Sequence, residues 1–177
     1  MDLATLDALK LSDSTGTQHQ LGDLWAEQPV VLVFLRHFGC IHCREHAVQL
    51  AARYDEIKAL GAELVAVGTG NERYAAAFVK DEQIPYLVLV DDDARAARAV
   101  SVHKSSFIGL FHPKSWSATV DAWKRGHRIH KAGARVTQMG ATFVLGPGDT
   151  VRYAHIDRDG ADHAPIDAVF DVLHARS

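Results

Sequence analysis

Cysteine is almost absent from this chain: 177 residues carry Cys40 and Cys43 and no others. Two cysteines so close together cannot staple a small fold, which excludes a disulfide-built scaffold. Proline is scarce as well, at 5 residues, and no stretch is rich in Pro, Gly or Ser, so neither a linker-joined nor a low-complexity architecture is expected. Long apolar runs are missing. The longest, Val30-Val31-Leu32-Val33-Phe34-Leu35, falls far short of the roughly 20 residues a bilayer span requires, and no membrane partner is expected. Basic charge is not in excess either: 19 Lys and Arg stand against 22 Asp and Glu, a net charge of −3. A nucleic-acid backbone rewards a basic face, so no nucleic-acid partner is expected. The first residues, MDLATLDALK, carry acids and lack the basic, apolar, small-residue order of a signal peptide, which makes a cytoplasmic location the expectation.

The remaining composition is that of a globular domain, 47% hydrophobic and 23% charged. A single domain over 1–177 is expected at about 150 residues per domain. Such a chain buries roughly 70% of its unfolded surface and holds a core without staples. Residues 30–36 are a continuous β-branched and apolar run, the pattern of a strand buried on both faces. Apolar positions at three- and four-residue spacing from Cys43 to Leu60 predict a helix over 41–60, stopped by Gly61. A second strand follows at 62–68, then a helix over 71–82 capped by Asn71, a third strand at 86–90, and a short helix capped by Asp91-Asp92-Asp93. The segment 101–117 has no clear period yet carries Phe107, Ile108, Leu110, Phe111 and Trp116, reading either as a substrate-pocket lining or as a lid over the core. A helix is predicted over 118–131. Residues 141–145 and 150–156 flank the turn Gly146-Pro147-Gly148-Asp149 as a hairpin, and 164–175 is an amphipathic helix. This order predicts an α/β fold, with a mixed central sheet flanked by helices on both faces. Sites in such sheets lie at the carboxyl ends of strands, where Arg36-His37-Phe38-Gly39-Cys40 stands.

The spacing of the two cysteines carries the chemistry. Cys40 falls at the strand-to-helix junction, where unpaired N–H groups and the positive end of the helix macrodipole favour a thiolate. Arg36 adds positive charge, as do His37 and His42 when protonated; His42, just before the second cysteine, also tunes redox poise. Cys40 is the expected nucleophile. Cys43, one turn in, is placed to attack a mixed disulfide or sulfenic acid on Cys40. Two other readings stand beside this one. The cysteines pack as small hydrophobes, or the pair and a histidine (His37, His42 or His46) bind a metal, which needs four N/S ligands where no second CxxC stands nearby. His46 is read as a polar residue on the helix face. Asp157, Asp159, Asp162 and His163 are read as a solvated turn capping the final helix, since their spacing fits no EF-hand loop.

The stretch VVLVFLRHFGCIHCREH, with the later GATFVLGPGDTVRYAHIDRDGADH, resembles the peroxiredoxin-like 2 family. That family lies within the alkyl hydroperoxide reductase/thiol-specific antioxidant group and includes prostamide/prostaglandin F synthase-like proteins. The resemblance covers about 17–175 and implies a thioredoxin-like fold and a thiol-dependent oxidoreductase. Its substrate would be a small peroxide or a protein disulfide, reduced through a Cys40–Cys43 disulfide that a thioredoxin-like reductant reopens. No organic cofactor or metal is implied. A homodimer is a plausible assembly. Cys40 matches the peroxidatic position and Cys43 the second cysteine. The sequence departs from the peroxiredoxin pattern Pro-x-x-x-Thr-x-x-Cys, because Val33 and His37 stand where Pro and Thr would be, leaving Arg36 and His37 to orient a substrate oxygen. Gly140-Ala141-Thr142 occupies the substrate-loop position of the thioredoxin cis-proline, with Ala141 at the proline itself.

Overall fold

A computed structural model describes residues 1–102, 138–159 and 162–175. The elements run α1 (Leu3–Asp7), β1 (Lys10–Asp13), β2 (Gln18–Gln20), a short 3-10 turn (Gly22–Leu24), β3 (Val30–Leu35), α2 (Ile41–Ala51), α3 (Tyr54–Ala59), β4 (Glu63–Gly68), α4 (Glu72–Asp81), β5 (Leu87–Val90), α5 (Arg95–Ala99), β6 (Ala141–Gly146), β7 (Thr150–Ile156) and α6 (Ile166–His174). The apolar segment at 103–117, with Phe107, Phe111 and Trp116, and the helix expected at 118–131 lie outside the described residues.

Seven strands form one sheet in the order β2-β1-β5-β4-β3-β6-β7. β3, β4 and β5 run parallel, while β6 lies antiparallel to β3, β7 to β6, and β1 to β5. This is the mixed sheet expected from the alternation of strands and helices. All six residues of β3 are buried, and strand alternation splits them between the two faces. Val31, Val33 and Leu35 join one apolar cluster with Cys43, Ala47, Leu50 and Phe78. Val30, Leu32 and Phe34 join a second with Leu6, Trp25 and Phe143 on the other side. A strand that feeds two cores cannot shift register by one residue without exchanging both sets of side chains.

Two expectations change. The single helix over 41–60 is broken into α2 and α3. No Pro or Gly interrupts it; Arg53 leaves helical geometry at φ −115°, ψ 15°. Its guanidinium lies 3.6 Å over the Phe170 ring of α6 and pairs with Glu56 at 2.9 Å and Asp167 at 3.1 Å. Tertiary anchoring therefore overrides local propensity. The amino-terminal strands β1 and β2 and helix α1 are additions that the apolar pattern did not reveal, since β2 is the polar tripeptide Gln18-His19-Gln20. Two caps are as expected. Asn71 Oδ1 accepts the Tyr74 N–H, and of the three aspartates Asp91 caps α5, accepting from Arg95, Ala96 and Ala97.

α2 is tied to its neighbours by polar contacts. Arg44, 2% exposed, reaches Glu82 through Nε at 2.5 Å, Asp81 at 3.3 Å and the Phe38 carbonyl at 3.2 Å. The Tyr86 hydroxyl donates to the Ala47 carbonyl at 3.0 Å. Removing one partner from a buried ion pair strands the other, at a cost of about 3–5 kcal/mol. Arg44→Leu is therefore expected to lower the urea midpoint of the reduced protein by an amount equivalent to about 3 kcal/mol; a loss under about 1 kcal/mol would place Arg44 among ordinary surface ion pairs.

Candidate active site at the start of helix α2

β3 ends at Leu35, and the chain turns through Arg36–Gly39 before α2 begins. The turn is held at three points. The Cys40 N–H donates to the His37 carbonyl at 3.1 Å. The Thr69 hydroxyl, after β4, donates to the Arg36 carbonyl at 2.6 Å. Phe38 is wedged against β4, where a side chain at Gly68 would meet the ring at 2.5 Å and one at Gly70, whose φ is +131°, at 3.1 Å. The two glycines thus make the slot that seats the cysteine loop. This is the carboxyl end of β3, where the sequence placed the site.

Cys40 is the N-cap residue of α2 and Cys43 lies in its first turn. Both are free thiols and both are buried, with 7% and 1% of their surface exposed. Their surroundings are not apolar throughout. An Arg36 terminal nitrogen lies 2.8 Å from the Cys40 sulfur, and Arg36 is itself buried. The Cys40 thiol is pushed well below its ordinary value of 9.0. The chief cause is a hydrogen bond from the Cys43 thiol; burial opposes it and the Arg36 charge adds to it. The Cys43 thiol is raised well above the same value by that hydrogen bond and by burial. One proton is therefore shared unequally, with an anion at Cys40 and a thiol at Cys43. Burial works against the Arg36 charge, but the two sulfurs outweigh it and hold the guanidinium protonated.

His37 and His42 do not supply the cationic help expected of them. Burial pushes both below the ordinary 6.5, despite the opposing pull of the Cys40 charge, which leaves neutral imidazoles at neutral pH. Among the described residues, Arg36 is the cation set against the sulfurs. Gly140-Ala141-Thr142 lies where β6 starts beside the end of β3, with Ala141 opposite Phe34 and Thr142 opposite Val33. Phe107 and Phe111 lie outside the described residues. Among the described residues, no group of three or more His, Cys, Asp or Glu is placed to hold a metal ion.

A second polar cluster lies next to the first, and two readings of its members are corrected. His46, read as a polar residue on the helix face, belongs instead to the buried face of α2: it is 5% exposed, its ring stacks on His163 at 4.7 Å and 10°, and burial, then the charges of His163 and His155, pushes it down to about 3. The signal was present, since His46 falls three residues after Cys43 and four before Leu50, on the buried stripe of α2. The acidic group after the hairpin does not cap α6, whose N-cap is Pro165 with no side-chain bond. Asp157 is instead buried and lies 3.1 Å from His163 Nδ1, while Asp162 accepts from the Arg158 N–H and side chain. Asp159 Oδ1 accepts the Asp162 N–H at 3.1 Å, a bond within the turn and not to the helix end. His155 of β7, which no spacing pattern in the sequence singles out, also enters this cluster, 3.5 Å from Asp162.

Residues 49–159 match the family described as AhpC/TSA antioxidant enzyme. The chain belongs to that family. The match starts beyond Cys43, so the cysteines themselves are placed by the fold. The peroxiredoxin-like 2 likeness read from the sequence is borne out by relatives. The chloroplastic thioredoxin-like protein AAED1 of Arabidopsis thaliana is 28% identical, over 93% of this chain and 70% of that protein. Mouse peroxiredoxin-like 2C is 25% identical over 96% and 79%, and the prostamide/prostaglandin F synthase of Danio rerio 27% over 98% and 88%. In fold the chain is similar to peroxiredoxin Q of Xanthomonas campestris, with a TM-score of 0.71 and 24% identity over 98% of this chain and 93% of that one. Mycobacterium tuberculosis peroxidoxin BcpB is a further match at 0.70 and 22%, over 96% and 93%. The thioredoxin-like fold is thereby established, and family membership carries a thiol-dependent redox function.

Two measurements check this electrostatic account. With Arg36 intact, the thiolate absorbance of the reduced protein should titrate in two steps, one well below and one well above the ordinary thiol value. Arg36→Met should raise the lower step by about 1–3 pH units, and a lower step that stays in place removes Arg36 from the account. His46 gives a stability effect of definite sign. Its folded value lies below the unfolded 6.5, so its contribution is fully present above pH 6.5 and is lost as pH falls towards 3. His46→Gln should flatten the acid limb of the stability curve between those limits; an unchanged acid limb would contradict the buried neutral imidazole.

Proposed function

We propose that this protein is a thiol peroxidase acting on small hydroperoxides, with Cys40 as nucleophile and Cys43 as the resolving thiol. The observation that carries the reading is the Arg36 guanidinium 2.8 Å from the Cys40 sulfur. It favours the anion at neutral pH, and the anion is the attacking species. The burial of Cys40 favours a small hydroperoxide over a folded protein's disulfide, whose sulfurs cannot approach a recessed atom without opening the site.

The Cys40 sulfur attacks the terminal peroxide oxygen. The sulfur lone pair forms the S–O bond, the O–O bond breaks, and Cys40 is oxidised to a sulfenic acid as the peroxide is reduced to an alcohol or water. The leaving oxygen takes up one proton. Cys43 then attacks the sulfenic sulfur, water leaves, and a Cys40–Cys43 disulfide closes within one helical turn. A thioredoxin-like dithiol supplies the two electrons that reopen it. Arg36 holds the anion and faces the developing charge. His37, kept neutral by burial, would orient the peroxide from the sequence position where the peroxiredoxin pattern carries threonine. The two free thiols suit a reducing compartment such as the cytoplasm. The outer strand β7, with Val151 and Ile156 exposed, is the edge a second copy would use in a homodimer.

Stopped-flow oxidation of the reduced protein tests the reading. Hydrogen peroxide or tert-butyl hydroperoxide should oxidise the wild type in a saturable or second-order phase that is faster than the reaction of a glutathione-type disulfide. Cys40→Ser should abolish that phase, and Cys43→Ser should stop at a sulfenic acid trapped by dimedone. Full turnover in Cys40→Ser would overturn the mechanism.

A further inference from the structure

One buried guanidinium faces two sulfurs. A terminal nitrogen of Arg36 lies 2.8 Å from the Cys40 sulfur, and the same side chain hydrogen-bonds to the Cys43 sulfur. The Arg36 main-chain N–H donates to Cys43 as well. The residue is fixed from behind, since the Thr69 hydroxyl holds its carbonyl at 2.6 Å. The two cysteines are fixed one turn apart at the start of α2. A planar guanidinium carries several N–H donors in a rigid fork, enough to serve both sulfurs from one position. In the resting form Cys43 is a thiol, a weak acceptor with little use for donors. Donors of this kind suit an anion. The chemistry asks for that anion, because disulfide closure proceeds by thiolate attack. The resting Cys43 is held from ionising first by its hydrogen bond to Cys40, then by burial, then by the Cys40 charge. The first and third act through the Cys40 anion and end when that sulfur takes up oxygen. The neighbouring imidazoles offer no substitute cation, since burial keeps His37 and His42 neutral.

We propose that Arg36 serves the two sulfurs in turn: it holds the Cys40 anion until the peroxide is reduced, and then holds Cys43 as the anion that closes the disulfide. The inference rests on the hydroperoxide reading above and gives its second step a catalytic residue. The Cys40 sulfur takes the terminal oxygen, the O–O bond breaks, and the peroxide's own proton leaves with the departing oxygen. Cys40 is then a sulfenate. The Cys43 S–H, already directed at Cys40, gives its proton to the new oxygen. Cys40 becomes a neutral sulfenic acid and Cys43 an anion. The total charge of the site is unchanged; one negative charge has moved from one sulfur to the next, opposite the same guanidinium. The Cys43 lone pair forms the S–S bond, the S–O bond breaks, and hydroxide leaves and takes a proton from solvent as water. Arg36 thus acts on both half-reactions without moving from the end of β3, where its main chain is anchored.

The test removes the Cys40 charge and asks where Cys43 ionises. Cys40→Ser puts a neutral hydroxyl where the sulfenic acid would be, and its one remaining thiol is followed by thiolate absorbance. That thiol should titrate below the ordinary 9.0, in contrast to the upper step of the wild type. Adding Arg36→Met to Cys40→Ser should raise it by about 1–3 pH units. Cys40→Ala carries the same comparison if Cys40→Ser does not melt cooperatively. A Cys43 thiol that stays above 9.0 without the Cys40 charge, or that does not respond to the loss of Arg36, overturns the proposal. Kinetics supply a second readout. After a pulse of tert-butyl hydroperoxide high enough that oxidation is not limiting, disulfide closure appears as a first-order phase independent of peroxide. The pH at which this phase levels off should lie about 1–3 units higher in Arg36→Met than in the wild type; an unchanged profile counts against Arg36. The underlying reading fails differently. It falls, and this inference with it, if the hydroperoxide does not oxidise Cys40 of the wild type at all, whereas normal oxidation with a Cys43 thiol that stays high in Cys40→Ser removes this inference alone.

Discussion

A guanidinium and a sulfur, 2.8 Å apart and both withdrawn from solvent, make the demand that the surrounding structure answers. Either charge alone inside a protein would cost several kcal/mol, and the pair is tolerable only when geometry and added hydrogen bonds compensate. The Cys43 thiol supplies one of those bonds to Cys40. Thr69 fixes the Arg36 main chain, and Phe38 locks the intervening loop between two glycines of the neighbouring strand connection. Arg44 and Tyr86 hold the helix that bears the cysteines. The apolar packing of β3 carries this polar arrangement at its tip, so the strand's register sets the position of Arg36.

Much of this was legible in the residues. The run at 30–35 announced a strand buried on both faces, and β4, β5 and the β6–β7 hairpin followed from the same kind of pattern. The strand-to-helix position of Cys40 came from periodicity alone. What was hidden has a common physical origin. β1 and β2 are short and polar, and they are strands because β5 offers an edge to pair with, which no local pattern records. The break at Arg53 arises from a stacking partner more than a hundred residues away. His37 and His42 looked like cations because imidazoles beside a thiolate usually gain a proton; burial reverses that, and burial is a property of the whole fold.

The polar cluster behind α2 illustrates the same point. Read along the chain, Asp157, Asp162 and His163 look like a surface turn and His46 like a helix decoration. They come together only because β7 runs antiparallel beside β6 and returns the chain to the end of the sheet where β3 releases the cysteine loop. An antiparallel hairpin at one side of a parallel core has brought residues a hundred positions apart into one polar file.

Both sulfurs belong to one of the two apolar clusters that hold the sheet between its helices. On the proposed reading, closing a bond between them removes the charge that Arg36 opposes and leaves the guanidinium buried opposite a neutral group. Folding and electron transfer then form a closed thermodynamic cycle. Whatever the ion pair adds to the folded dithiol form it subtracts from the relative stability of the folded disulfide form, and the same quantity makes the disulfide a stronger oxidant. The molecule's oxidising power is thus drawn from its own fold, and its redox state should be readable from the temperature at which it melts.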